Sequence, residues 1–190
     1  MLSKDNIRKR YLKIRKKKYF EVKKDYFDPF LIIIKKKLKI KPIYLSLYYP
    51  SNFEVNILKL LNIMGKKKNI TPLLPVISAK NDIKFFKWKF LDTLKVNKFG
   101  MLEPNECKNS IIPNVLLVPL LAFDNQNYRL GYGKGYYDRF LNKYLKINKS
   151  ILTIGVAFSF QKYNKLPVTR HDVSLDYILT EKGINKVWKY

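Results

Sequence analysis

The segment 129–135 (RLGYGKG) has the composition of a loop that could bind a phosphate group. Its three glycines let the backbone adopt positive φ values and turn consecutive N–H groups toward one anion. Arg129 and Lys134 add positive charge to the same concave loop. From Tyr136 onward, apolar side chains recur at helical spacing, so we expect a helix whose positive end faces the loop. Asp138 would lie in its first turn, where it could cap the helix or hold a metal ion beside a bound phosphate.

Other glycine-rich phosphate motifs fit this loop less well. A Walker loop requires Lys-Ser or Lys-Thr after its last glycine, and a dinucleotide fingerprint requires a glycine where Tyr136 stands. An alternative explanation is that the glycines only allow a strand and a helix to pack closely. Because Arg129, Lys134 and Asp138 flank the glycines, we favour the phosphate-binding interpretation.

A mostly parallel sheet covered by helices on both faces would position this loop. The pattern predicts strands at 43–48, 73–77, 83–90, 115–118, 151–158 and 177–179, and helices at 4–24 and 55–64. Alternating strands and helices are typical of an α/β fold with ligands at the carboxyl ends of the strands. The glycine loop follows such a strand. We find no linker or repeat, so residues 1–190 are expected to form a single domain.

The predicted amino-terminal helix carries a basic edge beside an apolar stripe. The stripe consists of Ile7, Tyr11 and Ile14. Lys4, Arg8 and Arg15 lie within about 40° of one another on the adjacent side of the helix. From the pattern alone, this is an amphipathic helix with a solvated cationic side.

The net charge of +25 raises the possibility of nucleic-acid binding. Lysines are spread over the whole chain, however, and no RRM, KH, zinc-finger or helix-turn-helix motif accompanies them. We therefore favour a solvated lysine coat, and a basic nucleic-acid-binding protein on the same fold remains the alternative.

Cysteine content and hydropathy indicate a protein of the cytoplasm. Cys107 is the single cysteine, so an internal disulfide is excluded and a reducing compartment is expected. No apolar run reaches the length of about 20 residues that a membrane-spanning helix needs. The basic amino-terminal segment has no apolar core of the kind found in secretory signals.

Several segments together resemble the 5-formyltetrahydrofolate cyclo-ligases (5,10-methenyltetrahydrofolate synthetases). The central match is to the pattern VPxxAFD, a short turn, and RLGxGxGYYDR. The matching residues are Val118, Pro119, Ala122, Phe123, Asp124, Arg129, Leu130, Gly131, Gly133, Gly135, Tyr136, Tyr137, Asp138 and Arg139. The segments 99–104 (FGMLEP) and 166–176 (LPVTRHDVSLD) are also similar to family segments, as is the pair Lys4 and Arg8.

The resemblance implies an ATP-dependent enzyme that converts 5-formyltetrahydrofolate to 5,10-methenyltetrahydrofolate and releases ADP and phosphate. It implies Mg²⁺ as cofactor and ATP as co-substrate. It also implies the three-layer α/β/α fold of the NagB/RpiA/CoA-transferase type. Cellular folates often carry polyglutamate tails, which a basic surface would attract. We expect a monomer, without membrane or nucleic-acid partners.

The resemblance also assigns roles to individual residues. ATP contacts fall on Lys4, Arg8, Arg129, Leu130, Gly131, Tyr132, Gly133, Lys134, Gly135, Tyr136 and Tyr137. Substrate contacts fall on Glu54, Tyr132, Gly133, Lys134, Gly135 and Tyr136. Asp138 and Asp172 are implied as metal ligands. Arg129 and Lys134 are implied as the catalytic cations that oppose the triphosphate.

Some assignments leave alternatives open. The loop before Glu54 is longer than is usual in the family, so Asn52 or Asn56 could take its place. Asp172, taken alone, is more typical of a turn or cap residue. One residue of the pair Tyr136 and Tyr137 could pack against the sheet and not against a ligand.

The turn before Arg129 also departs from the family, which often has glycine where Asn127 stands. Asparagine tolerates the left-handed region of φ and ψ, so we expect this turn to survive. A sugar-phosphate isomerase or CoA-transferase relative would share the sheet. Such an enzyme would need a base or nucleophile at the strand ends, whereas these motifs indicate a nucleotide site.

Overall fold

A computed structural model of the chain describes residues 2–38, 42–64, 69–78, 82–105, 109–148 and 150–186. The helices are α1 (Lys4–Lys18), α2 (Asp28–Leu38), α3 (Lys59–Met64) and α4 (Tyr136–Ile147). The strands are β1 (Ile43–Ser46), β2 (Ile70–Ile77), β3 (Ile83–Lys87), β4 (Leu94–Val96), β5 (Leu102–Pro104), β6 (Val115–Pro119), β7 (Ala122–Phe123), β8 (Arg129–Leu130), β9 (Leu152–Val156), β10 (Tyr177–Thr180) and β11 (Gly183–Lys186). Cys107 lies outside the described residues.

Seven strands form one sheet in the order β11-β10-β9-β6-β1-β2-β3. The five inner strands pair in parallel, and the edge strands β3 and β11 are antiparallel to their neighbours. The mostly parallel α/β sheet predicted from the sequence is therefore confirmed. Two short antiparallel pairs, β4-β5 and β7-β8, lie outside the main sheet.

The central strand β6 shows how the layers form. Val115 and Leu117 belong to the core shared with α2 and α3, whereas Leu116 and Val118 pack with α4 on the opposite face. All four side chains are fully buried. Because successive side chains of a strand point to opposite faces, an unbroken apolar run is what a sheet covered on both sides requires. The result is the three-layer arrangement.

The direction of the chain changes between β1 and β6, which are neighbours in the sheet. From β1 the chain continues outward to β2 and β3, whereas from β6 it continues outward to β9 and β10 on the other side. In doubly wound sheets, such a switch point leaves a crevice at the carboxyl ends of the two strands. The loop with Glu54 follows β1, and the glycine loop follows β6 through the β7-β8 hairpin.

Helix α1 docks on this hairpin outside the main layers. Ile7 and Tyr11 form a small apolar core with Leu121, Ala122 and Leu130. The docking fixes the amino end of α1 beside the glycine loop. In the described parts of the chain, no helix has the combination of length and apolar character needed to traverse a bilayer.

Two predicted helices are shorter in the structure. The helix predicted at 4–24 ends at Lys18, and a 3₁₀ turn follows at Lys24–Phe27. After the helix ends, Phe20 packs on Phe158 with ring centroids 4.8 Å apart, and Val22 is buried in the main core. The helix predicted at 55–64 begins only at Lys59, because Val55 and Ile57 are already buried in the core ahead of it. Tertiary burial overrides helical spacing at both places.

The pattern also missed one helix. Asp28–Leu38 forms α2, although its apolar run was not predicted as an element. A short continuous apolar run does not distinguish a buried strand from a buried helix by periodicity, which explains the omission.

Candidate active site

A cavity of about 910 Å³ opens at the switch point. Its walls come from the amino end of α1, the loop after β1, the β4-β5 pair, the glycine loop with the start of α4, and the segment before β10. This volume is at the upper end of the range typical of small-molecule sites. The site therefore combines segments that lie far apart in the sequence.

The glycine loop has the predicted positive φ at two of its three glycines. Gly133 has φ of +95° and Gly135 has φ of +66°, values that favour glycine. Gly135 is also the residue before α4, so the helix begins where the sequence predicted it. A Cβ atom on Gly133 would lie 3.1 Å from Cζ of Arg8. Gly133 is thus required for both its backbone conformation and the close approach of Arg8.

The amino end of α1 is tied to two walls of the cavity. Arg8 donates a hydrogen bond from Nε to the carbonyl oxygen of Gly131 at 2.9 Å. Lys4 Nζ forms an ion pair with Asp172, at 2.6 Å from Oδ2. Both cations line the same cavity as the glycine loop.

Arg129 and Asp138 form a pair between the hairpin and α4. Arg129 Nη2 lies 2.8 Å from Oδ1 of Asp138, and Nη1 donates to the carbonyl oxygen of Val173 at 2.8 Å. Burial lowers the pKa of Arg129, and the charge of Asp138 opposes that effect. The residue at the N-cap of α4 is Gly135, and Asp138 accepts hydrogen bonds from Arg129 and from the amide of Val173 rather than from the first amides of the helix. The carboxylate of Asp138 therefore pairs with the buried guanidinium of Arg129 and also lines the cavity.

Asp172 serves as a turn residue and also lines the cavity. It accepts hydrogen bonds from Lys4 and from both the amide and the hydroxyl of Thr169. Burial would raise the pKa of Asp172, but the hydrogen bonds from Lys4 and Thr169 outweigh burial and lower it. Asp172 therefore has the turn role that the sequence suggested, and its carboxylate also lines the cavity.

Asp138 and Asp172 are suited to a metal ion that also has ligands from a bound phosphate group. In the part of the chain that the structure describes, no group of three or more His, Cys, Asp or Glu residues could hold a metal alone. Asp138 and Asp172 each pair with a cation instead. Mg²⁺ commonly uses only one or two carboxylates, together with phosphate oxygens and water. The donor set is compatible with Mg²⁺ on a phosphate ligand and not with a dedicated protein cage.

The acidic side of the cavity centres on Glu54, which is 6% exposed. Its Oε1 accepts from the hydroxyl of Tyr132 at 2.8 Å, and its Oε2 accepts from the amide of Ser51 at 2.9 Å. Burial raises the pKa of Glu54, although Arg15 and these hydrogen bonds work in the other direction. Asn52 also lines the cavity, whereas Asn56 points to the surface and bonds Glu21. Of the three candidates from sequence, only Glu54 is buried in the cavity wall.

Aromatic rings form the remaining wall. Phe99, in the segment between β4 and β5, lies 6.2 Å from the ring of Tyr136, measured between centroids. Tyr137 lines the cavity and also packs on the core beneath α4, and burial raises its pKa. The sequence left open that one of the two tyrosines packs against the sheet, and in the structure both pack partly against this core. Tyr136 differs in that its ring also faces Phe99 across the cavity wall.

Lys134 and Leu130, both predicted as ATP contacts, lie in different surroundings. Lys134 is exposed on the rim, with Nζ 5.9 Å from the centroid of Phe99. Leu130 lines the cavity, but its side chain is buried in the apolar core with Ile7 and Tyr11. A ligand would meet Leu130 mainly through its backbone.

The left-handed turn before Arg129 is confirmed. Asn127 has φ of +57°, and its side chain donates to the carbonyl oxygens of Leu175 and Asp176. Asparagine therefore supports this turn with contacts that a glycine could not make.

Arg15 does not lie where the sequence predicted it. It was assigned to the solvated basic edge of α1, but it is 1% exposed and bonds the hydroxyl of Tyr132. The spacing contained a signal for this, since Ile7, Tyr11 and Arg15 follow one another at four-residue intervals on one helix face. The charge of arginine concealed its membership of the buried stripe.

Together, the doubly wound sheet and the cavity at its switch point define an α/β enzyme fold with a cationic glycine loop facing an acidic wall. The profile of the 5-formyltetrahydrofolate cyclo-ligase family matches residues 3–181. The chain belongs to this family of enzymes.

Relatives with that name are found in bacteria. A 5-formyltetrahydrofolate cyclo-ligase of Mycoplasma genitalium is 36% identical over 135 residues, which cover 64% of this chain and 79% of that protein. The protein of the same name from Haemophilus influenzae is 32% identical over 142 residues, 71% of this chain and 74% of the relative.

Solved structures agree over almost the entire chain. The NMR structure of Aquifex aeolicus 5,10-methenyltetrahydrofolate synthetase matches with a TM-score of 0.75 and 30% identity, covering 100% of this chain and 95% of that chain. The 5,10-methenyltetrahydrofolate synthetase of Mycoplasma pneumoniae matches with a TM-score of 0.64 and 27% identity, covering 94% and 98%. The family, the enzyme class and the fold predicted from the sequence are thereby confirmed.

Proposed function

We propose that this chain converts 5-formyltetrahydrofolate to 5,10-methenyltetrahydrofolate in an ATP- and Mg²⁺-dependent reaction that releases ADP and phosphate. The observation that carries the proposal is a single cavity with a cationic glycine loop on one side and a buried carboxylate on the other. Tyr132 of the glycine loop touches Glu54 at 2.8 Å, so ligands on the two sides would meet.

The glycine loop supports binding of the triphosphate. Positive φ at Gly133 and Gly135 is typical of loops whose amides face an anion, and α4 begins immediately afterwards with its positive end toward the loop. Lys4, Arg8 and Lys134 supply positive charge around it. When bound with ATP, Mg²⁺ would be held by Asp138 and Asp172 and would neutralise charge on the phosphate oxygens.

The acidic wall supports binding of the pterin. A carboxylate at Glu54 can accept hydrogen bonds from ring N–H groups, and a buried site strengthens such bonds. Tyr136 and Phe99 offer flat apolar surface for the ring. Lys146 and Arg170 also line the cavity and are suited to the negative charges of a polyglutamate tail.

The reaction requires activation of an amide oxygen. The formyl oxygen on N5 attacks the γ-phosphorus, the bond to the β-phosphate oxygen breaks, and ADP leaves. N10 then attacks the activated carbon and loses its proton. The C–O bond breaks, phosphate departs with the former formyl oxygen, and the methenyl bridge remains. The protein's task is to position these atoms and to stabilise the charge that develops.

The described residues are suited to that task. Lys134, on the rim of the glycine loop, can stabilise the negative charge of the phosphoryl group during its transfer. Arg129 keeps Asp138 oriented from the buried side. Closure of the cavity around both ligands would exclude water, which would otherwise compete with N10.

The fate of the formyl oxygen tests this proposal. Purified chain would be incubated with Mg·ATP and 5-formyltetrahydrofolate carrying a heavy oxygen isotope in the formyl group. We expect one ADP and one phosphate for each methenyl product, with the isotope in the phosphate. Isotope released into water, or product formed without ADP, would contradict the proposed chemistry.

A further inference from the structure

Behind the acidic wall lies a buried arginine that the proposed reaction does not use directly. Arg15 of α1 is 1% exposed, and Tyr132 lies between it and Glu54. Its Cζ atom is 5.6 Å from the centroid of the Tyr132 ring. A charged side chain is rarely buried to this extent unless it is paired or serves a function.

The hydrogen-bond directions along this chain of residues are determined by chemistry. A guanidinium can only donate, so the hydroxyl oxygen of Tyr132 accepts from Nη2 of Arg15. The single hydroxyl proton of Tyr132 is then directed to Oε1 of Glu54. The amide of Ser51 donates to Oε2 of the same carboxylate. Both oxygens of Glu54 therefore act as acceptors, which is the pattern of an ionised carboxylate.

Anchoring of α1 does not account for Arg15. Its other contact is a bond from Nη1 to the carbonyl oxygen of Leu120 at 3.0 Å. Gln161 already donates to that carbonyl at 2.9 Å, so the acceptor would remain satisfied without Arg15. Nε of Arg15 has no hydrogen-bond partner in the described structure. An apolar side chain would fill this position with fewer unsatisfied groups.

We propose that Arg15 is a positioning residue that keeps Glu54 ionised and oriented for the folate, acting through the hydroxyl of Tyr132. This inference rests on the proposed function, because it takes the pterin as the ligand of Glu54. Arg15 fixes the orientation of the Tyr132 hydroxyl, and the hydroxyl proton in turn fixes the orientation of the Glu54 carboxylate. The free lone pairs of Glu54 then face the cavity as acceptors for ring N–H groups.

Charge near Glu54 supports this role. The titratable groups that act on it are Arg15 from α1, Tyr132 from the glycine loop, Tyr48 after β1 and Tyr137 from α4. Burial raises the pKa of all three tyrosines, so they remain neutral at physiological pH. Among the described residues, Arg15 is the cation whose charge opposes the effect of burial on the pKa of Glu54. Its removal would raise the pKa of Glu54 further and favour the protonated form, which accepts less well.

The test compares Arg15→Met, Arg15→Lys and Tyr132→Phe with wild type. Tyr11→Phe is the matched control, since Tyr11 lies on the same buried face of α1 and bonds the carbonyl oxygen of Lys162, away from Glu54. Calorimetry would measure binding of 5-formyltetrahydrofolate and, separately, of Mg·ATP, from about pH 6 to about pH 9. Carboxyl-carbon NMR, with Glu54→Gln as the assignment reference, would follow the protonation of Glu54 without any ligand.

Arg15→Met is expected to weaken folate binding about tenfold or more near neutral pH and to change Mg·ATP binding less than about twofold. Its folate affinity should recover as the pH rises and Glu54 ionises. Arg15→Lys should restore much of the wild-type pH profile, because it returns the charge. Tyr132→Phe should weaken folate binding with a smaller pH dependence, and Tyr11→Phe should match wild type.

Two results would overturn the inference. One is an Arg15→Met variant with the wild-type folate affinity and Glu54 titration, and the other is equal weakening of folate and nucleotide, which indicates a structural role. If Arg15→Met does not fold, Tyr132→Phe decides the matter through the same measurements. If wild type binds no folate, the proposed function fails, and the NMR titration still reports whether Arg15 controls Glu54.

Discussion

The two sides of the cavity are built in different ways. On the glycine-loop side, Arg129, Asp138 and the loop between them lie within ten residues of one another, and Lys4 and Arg8 join them from α1. On the acidic side, Glu54 depends on Ser51, Tyr132 and Arg15, which come from three separate segments. One side is defined by a local motif, and the other is defined by the tertiary fold.

This difference predicts how each side responds to change. A motif of backbone amides and screened cations distributes phosphate binding over many groups, whereas the proposed metal depends on two carboxylates, Asp138 and Asp172. A buried carboxylate concentrates its function in one residue, where desolvation magnifies each lost contact. Substitutions should therefore separate the two substrates, with nucleotide parameters moving on one side and folate parameters on the other.

The largest effect is expected for Asp138→Asn, which sits on the nucleotide side. Loss of the carboxylate removes a proposed metal ligand and the charge that balances Arg129, so kcat should fall roughly a hundredfold to a thousandfold. Steady-state rates of methenyl formation would measure it. Asp92→Asn is the control, because Asp92 caps an exposed turn by accepting from the amide of Lys89. If the Asp138→Asn variant kept an activity within a few-fold of wild type, Asp138 would not be a metal ligand.

The next effect is expected for Glu54→Gln, which tests the acidic side. Replacing a buried, hydrogen-bonded carboxylate should raise KM for 5-formyltetrahydrofolate by about tenfold to a hundredfold. KM for ATP should change by less than about twofold. Equal changes in both KM values would show that the two sides are not separate.

Gly133→Ala should produce a smaller effect, with the opposite selectivity. The added methyl group meets Arg8 at 3.1 Å and occupies a backbone conformation with φ of +95°, so KM for ATP should rise about tenfold. Gly183→Ala separates strain from contact, because Gly183 has φ of +110° but nothing within 4 Å. That control should lose stability, by about 1 kcal/mol, and retain its KM for ATP.

The smallest effect concerns stability and pH. Burial raises the pKa of Glu54 above its ordinary value of 4.5, so the folded state binds this proton more tightly than the unfolded state. The contribution of Glu54 to stability is therefore greatest at low pH and declines as the pH rises above that value. Urea unfolding at about pH 4 and about pH 7 should show Glu54→Gln gaining stability relative to wild type at the higher pH. A relative loss at the higher pH would mean that burial does not dominate at Glu54.

The local side of this comparison could be predicted from sequence, and the tertiary side could be predicted only in part. The glycine loop, the start of α4 and the strand β6 follow from neighbouring residues, so spacing and turn chemistry were sufficient. Glu54 was identified through resemblance, but its partners were not. Hydrogen bonds between residues 78 positions apart leave no periodic signal in the sequence.

Arg15 illustrates the same limit. Its helical position matched the buried stripe, yet its charge favoured the solvated side, and only the contact with Tyr132 resolves the conflict. The early end of α1 was missed for a related reason, since packing against other elements decided it, whereas α2 was missed because its continuous apolar run has no helical periodicity.

The most direct test of the central claim is the absorbance of methenyltetrahydrofolate after purified chain is mixed with 5-formyltetrahydrofolate and Mg·ATP. We predict growth of the band with Mg·ATP, none without ATP, and a strongly reduced rate when EDTA removes Mg²⁺. Absence of the band with folded wild-type protein, or growth that does not need ATP, would contradict the account of this cavity as an ATP-driven cyclo-ligase site.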